Sequence, residues 1–302
     1  MLSIVIPTRN RPHHLQILLE SIVKSNASEF EVIVISSGID ISEVISNYKK
    51  NMQIKHIHTQ IPGQINQKIL GVNNITENSD WVMFCDDDLI FQKDFFQNLK
   101  NCLEESSNTI GIGVSLPSTE KNLRSSKLKV LFASVFLLRN VSYGAILKNG
   151  HACSYMKSTS KIRTKWLSGA SIWRSEIAKK YSSIYPQTKY AAYEDVIFSF
   201  SVSKFGSMFF CPSLKMDFQN VPTNDVAPLS AFISAMCWRN YLVNSDKFFS
   251  PTIFLWSQFG RNLEYLSNSK GKGFVAINRT YLNLNLSNVL RKDSKILLEK
   301  YS

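Results

Sequence analysis

The cysteines of this 302-residue chain (Cys85, Cys102, Cys153, Cys211, Cys237) are odd in number, widely spaced and never arranged as C-x-x-C. That pattern argues against a zinc knuckle or a disulfide framework, and a reducing, cytoplasmic setting is the simplest expectation. No apolar run approaches the roughly 20 residues needed to span a bilayer. The nearest are Val130–Leu138 and Phe248–Phe259, for which buried core is the first expectation and membrane-surface contact the alternative. MLSIVIPTRNRP lacks the basic start of a signal peptide and meets Pro7 early. Also lacking are an internal repeat, a low-complexity segment and any run of five lysines or arginines.

What is present is the composition of a folded protein, with 44% hydrophobic and 19% charged residues. The formal net charge of +12 suits polyanionic or anionic-surface partners, or serves only solubility. A nucleic-acid module would explain the charge, yet no binding motif accompanies it, so no nucleic-acid partner is expected.

LSIVI (Leu2–Ile6) is a continuous apolar, β-branched run that predicts a strand covered on both faces. A helix follows. Pro12 suits its first turn, Asn10 its cap, and Leu15, Leu18, Leu19, Ile22 and Val23 recur at helical spacing. The alternation repeats through Glu31–Ile35, Ile41–Lys50, Ile54–His58, Gln64–Ile75 and Trp81–Cys85. Strands alternating with helices predict parallel pairing, an α/β doubly wound sheet, and a ligand crevice beyond the strands' carboxyl ends. After Val114 the pattern fades, to resume in KWLSGASIWRSEI and in YEDVIFSFSVSKFG, a helix stopped by Gly206. Beyond Asn220 only helices with aromatic anchors such as Phe232, Trp238 and Trp256 are expected, and the last thirty or so positions, rich in Asn, Lys and Ser, read as loosely held.

WVMFCDDDLIF places Asp86, Asp87 and Asp88 at the carboxyl end of a buried strand. If extended, Asp86 and Asp88 face one side and Asp87 the other. Two convergent carboxylates repel each other unless a cation compensates, and Mg2+ or Mn2+ with a substrate diphosphate meets that need. A solvated acidic turn is the plainer explanation. Glu194 and Asp195 open a helix, where acids ordinarily offset the macrodipole and cap free N–H groups.

Together SIVIPTRNRP, PGQINQKILGV, WVMFCDDDLIF, WLSGASIWRSEI and YEDVIFSFSVSKFG resemble the successive signatures of family 2 glycosyltransferases, over Leu2 to about Pro212. The resemblance implies a GT-A fold over residues 1–220, with a mostly parallel sheet flanked by helices, and a C-terminal helical region over 221–302. It implies an inverting, metal-dependent transfer from a nucleotide-diphosphate sugar, UDP-linked by preference, to a glycan or lipid-linked acceptor of the surface-polysaccharide type. Such an enzyme would work at the cytoplasmic face of the inner membrane, with possible peripheral contact. In that pattern Pro7, Thr8 and Arg9 border the nucleotide and Lys68 stands where the family usually has Arg. Asp86 and Asp87 face the donor, with Asp86 and Asp88 the D-x-D pair on Mn2+ or Mg2+. Trp166, Ser168 and Gly169 lie in the loop beside donor sugar and acceptor. Asp195 is the general base, with Glu194 beside it.

Two positions depart from the family. ISSG follows the second strand where Asp commonly reads the base, so Ser36 or Ser37 substitutes, and CPSLKMDFQN offers Asp217 where many members carry a metal-binding His. His13, His14, His56 and His58 read as helix-surface or sheet residues rather than ligands. Among other activities, a nucleotidyltransferase would want a Gly-rich phosphate loop, which PTRNRP is not, and an aspartyl phosphohydrolase a hydroxyl residue after D-x-D, where Leu89 stands. A sugar-nucleotide-binding protein without turnover is the remaining alternative.

Overall fold

The computed structural model describes residues 1–25, 29–104, 108–117, 127–138, 142–183, 193–220 and 229–268. The last thirty positions and the side chain of Phe232 lie outside the described residues. The first half alternates as the patterning predicts: β1 (Leu2–Arg9), α1 (Pro12–Lys24), β2 (Phe30–Ser37), α2 (Ser42–Tyr48), β3 (Gln53–His58), α3 (Gln64–Val72) and β4 (Trp81–Phe84). Then come β5 (Leu89–Phe91), α4 (Phe95–Glu104), β6 (Thr109–Ser115), α5 (Lys127–Val135), β7 (Ile162–Thr164), β8 (Ser171–Arg174), α6 (Ser175–Ala178), α7 (Glu194–Val202), β9 (Ser207–Phe218), α8 (Leu229–Ser245) and α9 (Pro251–Asn268).

Among the described residues nine strands form one sheet in the order β3-β2-β1-β4-β8-β6-β9-β5, with β7 beside β9. β1 pairs in parallel with both β2 and β4, and β2 with β3. Beyond β4 the sheet is mixed, because β8 runs antiparallel to β4 and β6 while β6 and β9 are parallel. This is an α/β sheet flanked by helices.

Alternation along β1 explains its burial on both faces. Ile4 and Ile6 enter one core with Leu15, Leu18 and Leu19 of α1, whereas Val5 enters the other with Ile65 and Val72 of α3. Each such side chain contributes about 1.5–3 kcal/mol by leaving water. Gly71 lets α3 approach the sheet, since a Cβ there would stand 2.3 Å from Val5 Cγ1. Trp238 and Leu242 of α8 and Phe254 of α9 join the same core as Ile197 and Phe198 of α7, so aromatic anchors tie the C-terminal helices to the sheet.

Several local expectations change. Arg11, not Asn10, is the residue before α1, and no side chain caps that helix. Asn10 sits at φ 57°, its Oδ1 accepting the Ile39 N–H at 3.0 Å, so its carboxamide closes the neighbouring loop instead. Of Val130–Leu138 only Phe136 is buried, wedged against Trp256 and Phe259, while Leu131, Val135 and Leu137 are exposed. Cys102 and Cys211 are joined, with sulfurs 2.01 Å apart, a link between α4 and β9 that spacing does not reveal. Among the described residues no helix is long and apolar enough to cross a membrane.

Candidate active site

The order β3-β2-β1-β4 puts the sheet's topological switch between β1 and β4, because the chain leaves β1 in one direction and returns on its other side. The ladder between these strands ends at Val5 and Phe84, and past it the two chains part. Asp86, Asp87 and Asp88 fall in that opening. They do not stay extended: residues 87 and 88 form a turn leading into β5, so simple alternation does not decide which way they face.

Each aspartate has its own fixing. Thr8 Oγ1, at the end of β1, donates to Asp87 Oδ2 at 2.6 Å. Arg11 Nη1 reaches Asp87 Oδ1 at 3.2 Å and Asp88 Oδ2 at 4.0 Å. Gln64, the first residue of α3, donates to Asp86 Oδ1 at 2.7 Å. Burial pushes the Asp87 carboxyl up, with Thr8 and Arg11 pulling the other way. Burial also raises Asp88, and there the charges of Asp86 and Asp87 add to it. Asp88 keeps the openest side chain of the Asp87–Asp88 pair, 35% exposed against 7%.

Two glutamines that the sequence reading passed over hold this frame. Gln67 Nε2 donates to the carbonyls of Thr8 and Ile35, both at 2.8 Å, locking the ends of β1 and β2 together. Gln219, just beyond β9, gives its Nε2–H to the carbonyls of His14, Asp87 and Leu89, and its backbone N–H to Asp88. Its Oε1 is buried without a hydrogen-bond partner. Asp217 of β9, opposite Ile90, accepts from Gln92 at 3.0 Å.

The second acidic pair opens α7. Tyr193 precedes it in the left-handed region at φ 71°, which turns the chain into the helix. Glu194 is buried and pairs with Lys68 of α3 at 3.5 Å, and the Lys68 ammonium lies 5.5 Å from the centre of the Phe84 ring. Lys68 is itself 1% exposed, so its charge is spent inside the protein on Glu194. Asp195 Oδ1 accepts the Val196 N–H at 2.8 Å. Burial first, then the charge of Glu194, lifts the Asp195 carboxyl to about 7, and Lys68 and Asp86 are near enough to act on it in opposite senses.

The segment between β7 and β8 joins the two acidic groups. A Cβ added to Gly169 would lie 3.5 Å from Asp86 Oδ2 and 3.9 Å from Lys68 Nζ, so the lack of a side chain there leaves room beside both. Ser168 N–H donates to the buried Tyr155 hydroxyl at 2.6 Å, and Leu167 N–H to Ser199 Oγ of α7 at 3.0 Å. Trp166 turns its Nε1–H to the Cys153 carbonyl at 2.9 Å. Thr8, Lys68, Asp86, Asp87, Asp88, Gly169, Glu194 and Asp195 are thereby gathered at one end of the sheet.

Other expected positions lie at the margin. Pro7 is buried within β1, whereas Arg9 is exposed at its tip in register with Ser37. Ser36 is buried one strand over, its hydroxyl 2.7 Å from His56 Nε2 and 3.1 Å from His58 Nδ1. The two histidines thus belong to a polar cluster at the ends of β2 and β3 rather than to plain sheet surface. Among the described residues no three His, Cys, Asp or Glu side chains gather as a metal cage.

Residues 3–161 match the family model described as "Glycosyl transferase family 2". The chain belongs to that family. An uncharacterized glycosyltransferase of Rickettsia felis is 30% identical over 107 residues, 35% of this chain and 17% of the relative. One of Haemophilus influenzae is 29% identical over 111 residues, 36% of each chain. The matches therefore span about a sixth to a third of the length of these curated relatives. Among solved structures, S. aureus TarS 1–349 gives a TM-score of 0.59 at 14% identity, covering 98% of this chain and 83% of that one. The mannosyltransferase PcManGT of Pyrobaculum calidifontis, in complex with GDP-Man and Mn2+, gives 0.53 at 10% identity over the same shares. Both likenesses concern the fold, which is the GT-A arrangement that the motifs imply.

Proposed function

We propose that this chain is an inverting glycosyltransferase that moves a sugar from a nucleotide-diphosphate donor to a hydroxyl of a glycan or lipid-linked acceptor. The observation that carries the reading is Asp195: a carboxyl at a helix start, raised to about 7 by burial and Glu194, next to the Glu194–Lys68 pair whose ammonium shares the space beside Gly169 with Asp86. A carboxylate poised near neutral pH suits a general base. In this reading Asp195 takes the proton of the acceptor hydroxyl as that oxygen bonds to the anomeric carbon. The bond from that carbon to the donor diphosphate breaks on the opposite face, and the diphosphate leaves with the electron pair, which inverts the centre.

The donor would lie over the ends of β1 and β4, with Pro7, Thr8 and Arg9 bordering the nucleotide, Asp86 and Asp87 toward the ribose, and Ser36 with its two histidines beside the base. TarS 1–349 has also been solved in complex with UDP-GlcNAc, which favours a UDP-sugar over the GDP-Man of PcManGT. Lys68 would act through Glu194, fixing the helix that carries the base, rather than as a direct phosphate ligand.

Mn2+ or Mg2+ fits the residues present. Asp86 and Asp88 are hard oxygen donors whose mutual repulsion a divalent ion would relieve, and the unpartnered Oε1 of Gln219 is a neutral oxygen beside the same turn. Bound there, the ion would neutralise charge on the departing diphosphate. The few protein ligands agree with a metal that takes the rest of its oxygens from substrate and water.

Contact with the inner membrane finds support in the exposed apolar side chains of Leu128, Leu131 and Val135 on α5 beside Trp256 and Phe259 on α9. A panel of UDP- and GDP-sugars with Mn2+ or Mg2+, read by nucleotide release and donor-induced thermal shift, tests the central reading. Asp88→Asn should weaken metal-dependent donor binding by about tenfold or more. Donor binding with no release under any acceptor would leave a binding protein without turnover. Release that continues unchanged without divalent metal would remove the D-x-D assignment.

A further inference from the structure

Behind the helix that carries Asp195 stand two arginines with no carboxylate partner among the described residues. Arg239 of α8 is 5% exposed; its Nε–H donates to the Asn149 carbonyl at 3.0 Å and Nη2 reaches Ser257 Oγ at 3.5 Å. Arg261 of α9 has its Nε buried with no hydrogen-bond partner. Arg239 Nη2 reaches α9 at Ser257, one helical turn before Arg261; burial first brings Arg239 down to about 10, and Arg261 acts in the same direction. His151 beside them is held neutral, pushed to about 3 by burial and then by both arginines. A buried charge such as Arg239, with a second beside it that is partly buried, is costly unless an opposite charge joins them, and the described residues supply none there.

This cluster is wired to the base. Tyr193, the residue before Glu194 and Asp195, gives its hydroxyl proton to the Gly150 carbonyl and accepts the Ala152 N–H at 3.0 Å. Burial raises that hydroxyl, the charge of Arg239 and then of Arg261 lowers it, and Asp195 raises it, so the tyrosine that precedes the acidic pair is anchored in the loop that Arg239 also grips. Gly150, at φ 73°, admits the Arg239 stem, since a Cβ there would meet Arg239 Cγ at 3.2 Å.

We propose that Arg239 and Arg261, with the 149–152 loop, form an anion subsite that takes a phosphate group of the acceptor. The word acceptor rests on the transferase reading above; the anion subsite itself does not. Guanidinium groups bind phosphate through paired N–H donors, and a phosphate has enough oxygens to engage two of them, where a single carboxylate is matched by one fork. The net charge of +12 suits a substrate carrying repeated or membrane-borne phosphate.

The test uses the full chain saturated with UDP, so that the donor site is filled. Inorganic phosphate and glycerol phosphate are titrated in, read by thermal shift and by 31P line width. Binding should persist in the presence of UDP, fall at least tenfold in Arg261→Gln and be partly kept in Arg261→Lys, with UDP affinity the same in all three. Phosphate that UDP displaces, or that Arg261→Gln binds as well as the parent chain, overturns the subsite. Vesicles of phosphatidylcholine with and without phosphatidic acid separate the sources: Arg261-dependent binding to the acidic vesicles assigns a lipid phosphate, and binding confined to the free esters a soluble one. If phosphate binds through Arg261 while no nucleotide sugar is turned over, the subsite stands and the transferase reading falls.

Discussion

The two acidic groups of the site solve the same electrostatic problem by opposite means. Asp86, Asp87 and Asp88 lie on a turn with donors on several sides, from Thr8, Arg11 and Gln64, and Asp88 keeps contact with solvent. Glu194 and Asp195 lie on a helix packed into the core, and the buried cation Lys68 pairs with Glu194 there. The open group can be neutralised by something that comes and goes; the closed one is neutralised by the protein itself. In the proposed reading, that difference separates a place for a substrate's charge from a place for a proton.

The sharpest way to break the comparison is Asp195→Asn, which leaves the shape and removes the proton acceptor. Sugar transfer should fall by about 10²–10⁴-fold while donor binding, read by thermal shift, is retained. Transfer at an undiminished rate would move the base elsewhere. Next in size is Lys68→Met, which removes the buried cation paired with Glu194 and should cost about 3–5 kcal/mol in denaturant unfolding. Lys68→Met combined with Glu194→Leu should recover a large part of that loss; if it recovers nothing, the ion pair is not what Lys68 contributes.

The smallest effect is the pH dependence of stability. Asp195 is lifted from an ordinary value of 3.8 to about 7, so between those limits the folded chain holds a proton that the unfolded chain has released. Its stability contribution is full below the lower value and is lost as pH rises through about 7. Asp195→Asn should therefore melt higher than the parent chain at pH 8, by about 3 °C, with the gap closing on acidification toward pH 4. A gap of constant size across that range would show that the carboxyl is not destabilised by its surroundings.

Legibility followed how local the determining interaction is. β1, β2 and β4 are readable because a strand buried on both faces is a short unbroken apolar run, and parallel pairing follows from their alternation with helices. β5, β7 and β8 are three or four residues long and held by partners far along the chain, so no run of their own announces them. The same holds in the site. Asp86 and Asp88 stand out as charges in an apolar setting, whereas Asp195 reads as an ordinary helix-start acid to which only the family resemblance gives a role. The Lys68–Glu194 pair joins residues 126 positions apart, Lys68 having been read as a nucleotide contact, and nothing in either neighbourhood predicts the other. Asn10 was a plausible cap by residue type alone, and a hydrogen bond from Ile39 claimed its side chain instead.

Gln219 has a mechanical consequence. One carboxamide grips α1, both sides of the aspartate turn and the exit of β9, so these pieces travel together or not at all. The floor of the proposed donor site is therefore held stiff by one side chain.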